Sequence, residues 1–534
     1  KRKYGSTIYS RTHRTKKNEL LLKLINYNLH KTTKIETLIQ GFLQSRIIIL
    51  SKTILTAMNI VRKTVHGVSW VALFTVTTRV VGFLTTLVLA RLLTPEDFGL
   101  VAIGLLAINT LAIFRDLGVG PALIHQKGDI KKAADTTFTL LPIIGLLLFI
   151  VAYFISPLAA GFFNNAESEL VVKYLSITLL IVSLGLTPAA LLDKELEFRK
   201  QFLPEVGSVL SYGAVAIALA FSGFGVWSIV YGKIASSVVW LMTIWMVSPW
   251  RPSFSFDGDI ARDLLSYGRH ILGGKMIFFF LFNLDNGVVG KFLGAASLGF
   301  YYMAFNVSYI PGQQISRLVN RVLFPTYTKL QDNKESLVRV YLKTITYISS
   351  VSIPLSIGIM VLAPDIIMVV LGEKWMPSLL PLQVLCIASI FHAMNGTTGV
   401  LFNALGRPEI QERITLYQFI ILGILIYPMT MGYGILGTSI AVTFPVVLMA
   451  IFSYNVAGNL LNIDSIKFVD ALKIPVLCSF FMGAAIYAVQ FSQPATGAIK
   501  LVLLVTIGIA TYGFSILIFG RSLIKEFKGM LGAS

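Results

Sequence analysis

Ala90-Arg91-Leu92-Leu93-Thr94-Pro95-Glu96-Asp97-Phe98-Gly99 returns 200 residues later as Gly290-Lys291-Phe292-Leu293-Gly294-Ala295-Ala296-Ser297-Leu298-Gly299, with a base, a leucine and the final glycine in register. Each stretch closes one apolar run and opens the next. The pair therefore predicts a duplicated helix–loop–helix and a chain made of two like halves. In membrane proteins such symmetry marks a carrier, because two lobes that rock against each other expose one central site to each side in turn.

Composition sets the class. With 55% hydrophobic and only 13% charged residues, the chain cannot clothe a water-soluble globule of its size. Mean hydropathy is +0.75. Crossing a hydrocarbon core takes about 20 apolar residues. Fourteen such spans are read, all helical, at 70–91, 98–114, 136–159, 173–192, 205–222, 225–248, 267–290, 297–316, 342–363, 379–402, 412–431, 434–457, 472–490 and 499–520.

Basic residues order the loops. Those following the even-numbered spans hold most of the Lys and Arg, beginning with Arg115, Lys127, Lys131 and Lys132 and ending with Arg521, Lys525 and Lys528. The opposite set holds Arg91, Lys173, Lys291, Lys374 and Lys500. Short basic loops stay cytoplasmic. Both termini are thus expected in the cytoplasm, with an even number of spans.

The formal charge of +19 does not point to nucleic acid. Most of it belongs to residues 1–69, a basic cytoplasmic tail whose only acids are Glu19 and Glu36 and which would lie against anionic membrane lipids. The first Met is Met58, so residues 1–57 are read as an over-extended start without function. Cys386 and Cys478 fall within apolar spans and imply no disulfide framework, and the six scattered His show no metal-ligand spacing. Neither cofactor nor metal is expected. No loop beyond the tail is large enough to hold an acid and a base over a substrate, which disfavours a membrane polymerase or ligase and leaves translocation.

The ordered series of motifs resembles a known family. Thr78-Arg79-Val80-Val81-Gly82-Phe83, Leu89 to Gly99, and Phe114-Arg115-Asp116-Leu117-Gly118-Val119-Gly120-Pro121 look like the polysaccharide-transporter branch of the multidrug/oligosaccharidyl-lipid/polysaccharide flippase superfamily. So do Asn283-Leu284-Asp285-Asn286, Gly299-Phe300-Tyr301-Tyr302-Met303-Ala304 and Gly372-Glu373-Lys374-Trp375. The resemblance covers roughly residues 58–520. It implies an all-α integral membrane protein, with a six-helix lobe at 70–248, an inter-lobe linker at 249–266, a second six-helix lobe at 267–457, a central cavity, two further helices at 472–520 and a cytoplasmic tail at 521–534. It also implies export of an undecaprenyl-pyrophosphate-linked oligosaccharide, a lipopolysaccharide or exopolysaccharide precursor, across the bacterial cytoplasmic membrane. Glycosyltransferases and a polysaccharide polymerase would be its partners. A cation-coupled drug or small-molecule antiporter of the same superfamily is the alternative.

Arg79 is the sharpest site candidate. It lies nine residues past Trp70, roughly 13 Å into the membrane at about 1.5 Å per residue. Holding a guanidinium there against lipid costs about 2.5–3.5 kcal/mol on insertion scales, so it should face a wet cavity or bond to a neighbouring helix. Thr75, Gly82 and Thr86 share its face, and the resemblance adds that flippases of this superfamily carry a needed arginine on the first helix. In the seventh span Lys275, Asn283 and Asn286 are read on one face. Asp285 points about 80° away, to pair with Lys275, Arg79 or Lys233 or to take up H⁺ or Na⁺. Lys233 either lines the cavity or snorkels. Arg91 and Lys291, the repeated bases, and Arg115 with Asp116 are gate or cap candidates. His392, Asn395, Gly399 and Asn403 form a stripe suited to interhelical hydrogen bonds. Pro311, Gly312, Pro354 and Pro428 are candidate bending points.

Overall fold

The computed structural model describes residues 16–28, 30–31, 69–116, 120, 122–123, 129–253, 255–309, 323–492 and 497–521, without the side chains of 116, 265, 267–272, 274–275 and 491–492. Pro311 and Gly312, most of the basic tail and the residues after 521 lie outside the described residues. Residues 16–28 form a helix, α1, in a unit of their own, Lys1–Trp70.

Among the described residues every regular element is helical. That is the demand of a solvent without hydrogen-bonding partners, where a spanning chain must satisfy its N–H and C=O groups internally. The helices are α2 (Ser69–Leu92), α3 (Pro95–Asp116), α4 (Ile130–Phe163), α5 (Glu167–Ser183) and α6 (Leu186–Lys194). They continue as α7 (Phe198–Phe221), α8 (Val226–Val247), α9 (Gly258–Leu281), α10 (Leu284–Ser308) and α11 (Lys334–Ile366). A π-helical turn (Ile367–Leu371) and a 3-10 helix (Glu373–Ser378) lead to α12 (Leu379–Ala404), α13 (Pro408–Leu461), α14 (Ser465–Ser492) and α15 (Gly497–Phe519). Among the described residues, eleven helices are long and apolar enough to cross a membrane, or twelve if the pair α5–α6, bent by 45°, counts as one span. The expected fourteen is therefore not reached by helix length and apolarity.

Part of the difference lies in two helices that double back. In α13, Tyr433 and Gly434 leave helical geometry, and the Thr430 and Thr438 hydroxyls meet at 2.8 Å. Eight residues of straight helix would hold them about 12 Å apart. The turn thus falls at Tyr433–Gly434, where the eleventh expected span gives way to the twelfth. In α10, Gly294 adopts φ 83°, open to glycine but strained for other residues, and the chain reverses there. The seventh span differs too. Its helix begins at Gly258, inside the expected linker, and breaks at Phe282–Asn283, so Lys275 and Asn286 do not share one uninterrupted helix face.

Gly294 aligns with Thr94 in the repeat, and both mark a reversal. At Thr94 the turn is closed by a capping box. Asp97 Oδ2 accepts from the Thr94 amide and hydroxyl, each at 2.8 Å, while Thr94 Oγ1 accepts from the Asp97 amide at 3.2 Å. Pro95, at the first helical position, has no N–H to leave unsatisfied.

The duplication is also visible as a reciprocal crossing. A Cβ built on Gly99 would lie 1.7 Å from the Ala295 carbonyl oxygen, and one built on Gly299 would lie 1.8 Å from that of Pro95. Ala295 and Pro95 are themselves repeat partners. Helix α3 and the second arm of α10 therefore press backbone to backbone about a pseudo-twofold axis, and one buried cluster joins Leu89, Phe98 and Ile103 to Val289, Leu298 and Tyr301.

Around this crossing, α2 lies against α7, with Thr85 over Gly213 and Gly82 near Val209. Helices α14 and α15 pack on α11. The segment between the halves is pinned to the first. The buried Asp135 carboxylate accepts from the Ser253 hydroxyl and from its amide, the latter at 3.1 Å, and Thr136 Oγ1 accepts from the Asp257 amide at 3.2 Å.

Gly99→Ala and Gly299→Ala should each destabilise the detergent-purified protein by about 1–3 kcal/mol through overpacking, read as a lower melting temperature. Gly161→Ala, where a Cβ meets nothing within 4 Å, should leave the melt unchanged.

Candidate functional site

The end of the molecule that carries Thr94 and Gly372 is shut by an exchange of cations. Arg91, one residue from the end of α2, donates Nε to the Val370 carbonyl at 2.8 Å and Nη2 to those of Met368, at 3.3 Å, and Val369. These are the last carbonyls of the π-helical turn, which have no intrahelical donor and carry the negative end of the helix dipole. In return Lys374 Nζ donates to the Arg91 and Leu93 carbonyls, at 2.9 and 2.6 Å, where α2 ends. Each half caps a helix terminus of the other.

Between the two cations Trp375 is fully buried. Its indole N–H donates to the Ala90 carbonyl at 2.9 Å, and its ring meets Phe98 and Phe300 edge-on, with centroids 5.3 and 6.0 Å apart. On the repeat-related side, the Lys291 ammonium sits over the Phe162 ring at 5.1 Å. Arg91 and Lys291, the repeated bases, thus both lie at contacts between the halves.

Further along α2 the packing opens. Arg79 precedes Ala90 by eleven residues, three turns, and so lies on nearly the same face. Ala90 is fully buried, whereas Arg79 is exposed, as are its neighbours Phe83 and Val76. Thr75 and Thr86, half-buried, flank Arg79, with Thr86 Oγ1 donating to the Gly82 carbonyl at 2.9 Å. On α8, Lys233 does not reach for the surface. Its ammonium lies over the Tyr212 ring of α7, 4.5 Å from the centroid, a cation–π contact within the bundle.

Asp285 is buried just past the α9–α10 break. Its Oδ2 accepts from the Tyr301 hydroxyl at 2.7 Å and its Oδ1 from the Asn286 amide at 2.9 Å. Among the described residues it makes no ion pair with Arg79 or Lys233, two of its expected partners, and the side chain of the third, Lys275, lies outside them. A cavity of about 20 Å³ beside it is lined by Phe305, Tyr309, His392 and Gln418. The His392 ring meets Phe282 edge-on, with centroids 5.6 Å apart, and Tyr309 at a tilt, with centroids 5.7 Å apart. Asn283 donates Nδ2 to the Phe279 carbonyl at 2.8 Å, an amide spent on the helix break. Arg115 is half-buried in the last turn of α3, and the side chains of Asp116 and Lys275 lie outside the described residues.

Lys374, Trp375, Tyr212 and Tyr301 were not singled out as site residues from sequence. Gly372-Glu373-Lys374-Trp375 carried a signal as a polar, aromatic break between apolar runs, but its partners lie some 280 residues away and leave no local trace.

A duplicated all-helical fold with many apolar spans, its halves latched together at one end, is the build of a membrane transport protein. Residues 88–380 match the family model described as "Polysaccharide biosynthesis protein". The chain belongs to that family.

Among relatives, it is 26% identical to the "Lipopolysaccharide biosynthesis protein WzxC" of Escherichia coli K12 over 74% of this chain and 81% of that one. Among solved structures it resembles "Lipid II flippase MurJ, inward closed conformation", with a TM-score of 0.70 at 17% identity, covering 85% of this chain and all of that one. A multidrug resistance MATE family transporter of the MOP superfamily in an inward-facing conformation gives 0.57 at 18% identity, over 72% and 96% of the two chains.

Removing a cation from the latch should open it. With both native cysteines replaced and a cysteine placed at Phe98, Arg91→Ala or Lys374→Ala should raise maleimide labelling about tenfold, the population shift expected when a charged hydrogen bond of about 1.5–3 kcal/mol is lost.

Proposed function

We propose that this protein carries an undecaprenyl-pyrophosphate-linked oligosaccharide across the bacterial cytoplasmic membrane by alternating access, with both termini in the cytoplasm and no covalent step. The observation that carries the reading is the placement of Arg79. Arg79 is exposed on α2 three turns before the buried Ala90 and on nearly the same face, and we read that exposure as the side on which the halves part. A pyrophosphate suits such a group, since two N–H donors of the planar fork meet two phosphate oxygens. Lys233, over Tyr212, adds a second positive charge within the bundle.

Membership of the polysaccharide biosynthesis family and the likeness to the lipopolysaccharide biosynthesis protein of Escherichia coli support the polysaccharide context, and the MurJ-like fold supports the transport mode. Such a substrate requires glycosyltransferases to build it and a polymerase to receive it, and these are the proposed partners.

Asp285 is proposed as the coupling group. Its carboxylate is bonded to a hydroxyl and amides rather than to a fixed base, beside a space large enough for one water, so uptake of H⁺ or Na⁺ would not have to break an ion pair. The same residue is what favours the second reading, a cation-coupled small-molecule antiporter. That reading would have Asp285, and not Arg79, decide cargo binding.

Reconstitution with a fluorescent undecaprenyl-pyrophosphate oligosaccharide tests the proposal. Arg79→Ala should slow delivery to the opposite leaflet about ten- to a hundredfold, and Arg79→Lys should recover part of it. Unaltered transport in Arg79→Ala would exclude the anion site. Imposed H⁺ or Na⁺ gradients should accelerate the wild type and not Asp285→Asn, and indifference of the wild type to both gradients would remove the coupling role.

A further inference from the structure

Where α14 and α15 pack on the second half, they leave a cavity of about 800 Å³ against α11 and α12. Ligand pockets run from about 300 to 1,000 Å³ and a water takes about 30 Å³, so this space is of ligand size. Its residues Met368, Ile387 and Tyr487 are exposed, so it is open to what surrounds the helices. Around apolar spans that is lipid.

The lining is graded. Each of three helices contributes a polar residue on the side of the latch and an apolar or aromatic one about a turn deeper: Asp365 and Met360 on α11, Gln383 and Ile387 on α12, Gln490 and Tyr487 on α14. Lys500, in the first turn of α15, completes the polar end.

That end is held in place by its own bonds. Lys500 Nζ lies 3.1 Å from Asp365 Oδ1, both side chains being largely buried, and Gln490 Nε2 donates to Asp365 Oδ2. Pro364 has no N–H, which leaves the Met360 carbonyl without its intrahelical donor, and Gln383 Nε2 supplies one at 3.0 Å. These bonds leave the ammonium with further N–H donors, and the carboxylate and both amide oxygens with acceptor capacity. The two formal charges cancel. Such a lining complements a group that carries both signs better than it does a simple anion.

A phospholipid headgroup with a phosphate beside a primary ammonium has that pattern. Its phosphate accepts from Lys500, and its three N–H groups meet oxygens of Asp365, Gln490 and Gln383. A quaternary ammonium has no N–H to give.

The cavity also shares a wall with the latch. Met368 lines it, and the Met368 carbonyl accepts from Arg91 Nη2 at 3.3 Å. Asp365 lies two residues before the π-helical turn that Arg91 caps. A ligand that fits while this turn is in place shifts the protein toward the latched state.

We propose that this cavity binds the headgroup of phosphatidylethanolamine from the surrounding leaflet, with the acyl chains leaving past Met360 and Ile387, and that occupancy holds the latch closed. The site does not depend on what the carrier moves.

The test uses the full chain in nanodiscs of phosphatidylglycerol, alone or mixed with phosphatidylethanolamine or phosphatidylcholine. Maleimide labelling of the Phe98→Cys protein lacking the native cysteines should be about tenfold slower with phosphatidylethanolamine, and phosphatidylcholine should leave it within about twofold of phosphatidylglycerol alone. Native mass spectrometry of protein purified in detergent should show retained phosphatidylethanolamine. Ile387→Trp fills the cavity without removing a charge, and Asp365→Asn with Lys500→Gln removes both charges. Each should abolish the retention and the labelling response. Where the double variant lowers the melting temperature, Ile387→Trp decides alone. Equal protection by phosphatidylcholine, retention of a prenyl lipid in place of phosphatidylethanolamine, or a response that survives Ile387→Trp overturns the site. Retention without slower labelling overturns its hold on the latch.

Discussion

The structure depends on an exchange of helix caps. Two helices from different halves end at the same level, each with carbonyls that no residue of its own helix can satisfy, and each is served by a cation from the other half: Arg91 for the π-helical turn, Lys374 for α2. Hydrogen bonds to charged groups are worth about 1.5–3 kcal/mol apiece, more than neutral ones. Neither end can be uncapped alone, because the guanidinium, the ammonium and the Trp375 indole occupy one contact. Separation at this end is therefore all-or-none, which is what an alternating-access carrier needs if it is never to leak. The Gly99–Gly299 crossing makes the contact close enough to work. A Cβ at either position would overlap the facing backbone carbonyl, so a larger residue there must push the two helices apart.

Much of this architecture was legible in the chain. Residues 90–99 and 290–299 foretold two like halves and placed both reversals, at Thr94 and Gly294, since the turn chemistry there is local: Thr-Pro-x-Asp in one case, a glycine in the other. The bases at 91 and 291 were also evident.

What failed to show were interactions whose two sides are far apart. Nothing near Lys374 announces that α2 ends beside it. The break at Phe282–Asn283 involves neither proline nor glycine and so leaves no local mark, and a continuous helical wheel through 275–286 does not describe the two helices that meet there. Asp285 was expected to need a base because a buried charge usually does. A tyrosine sixteen residues on supplies a neutral donor that no local pattern announces.

Symmetry of fold and symmetry of chemistry part company here. Position 79 is arginine and 279 phenylalanine; 85 is threonine and 285 aspartate; 106 is leucine and 306 asparagine. Duplication supplied the rocking frame, and the polar groups were then distributed unevenly upon it. Arg79 of α2 and Lys233 of α8 have no basic counterpart at 279 and 433, and Asp285 has no acidic counterpart at 85. A cargo that is charged at one place and hydroxylated at another is better served by unlike walls than by identical ones.

The fastening of residues 253–257 to Asp135 and Thr136 has a mechanical corollary. Helix α9 leaves that anchor with its first turn tied to one half, and its far end runs directly into α10, which belongs to the other. It behaves as a strut clamped to two bodies, with little slack in the leash between them. When those bodies turn, the angular change must be absorbed where the strut is already interrupted, at Phe282–Asn283, two residues from Asp285. The discontinuity then acts as an elbow, and the carboxylate sits at its joint.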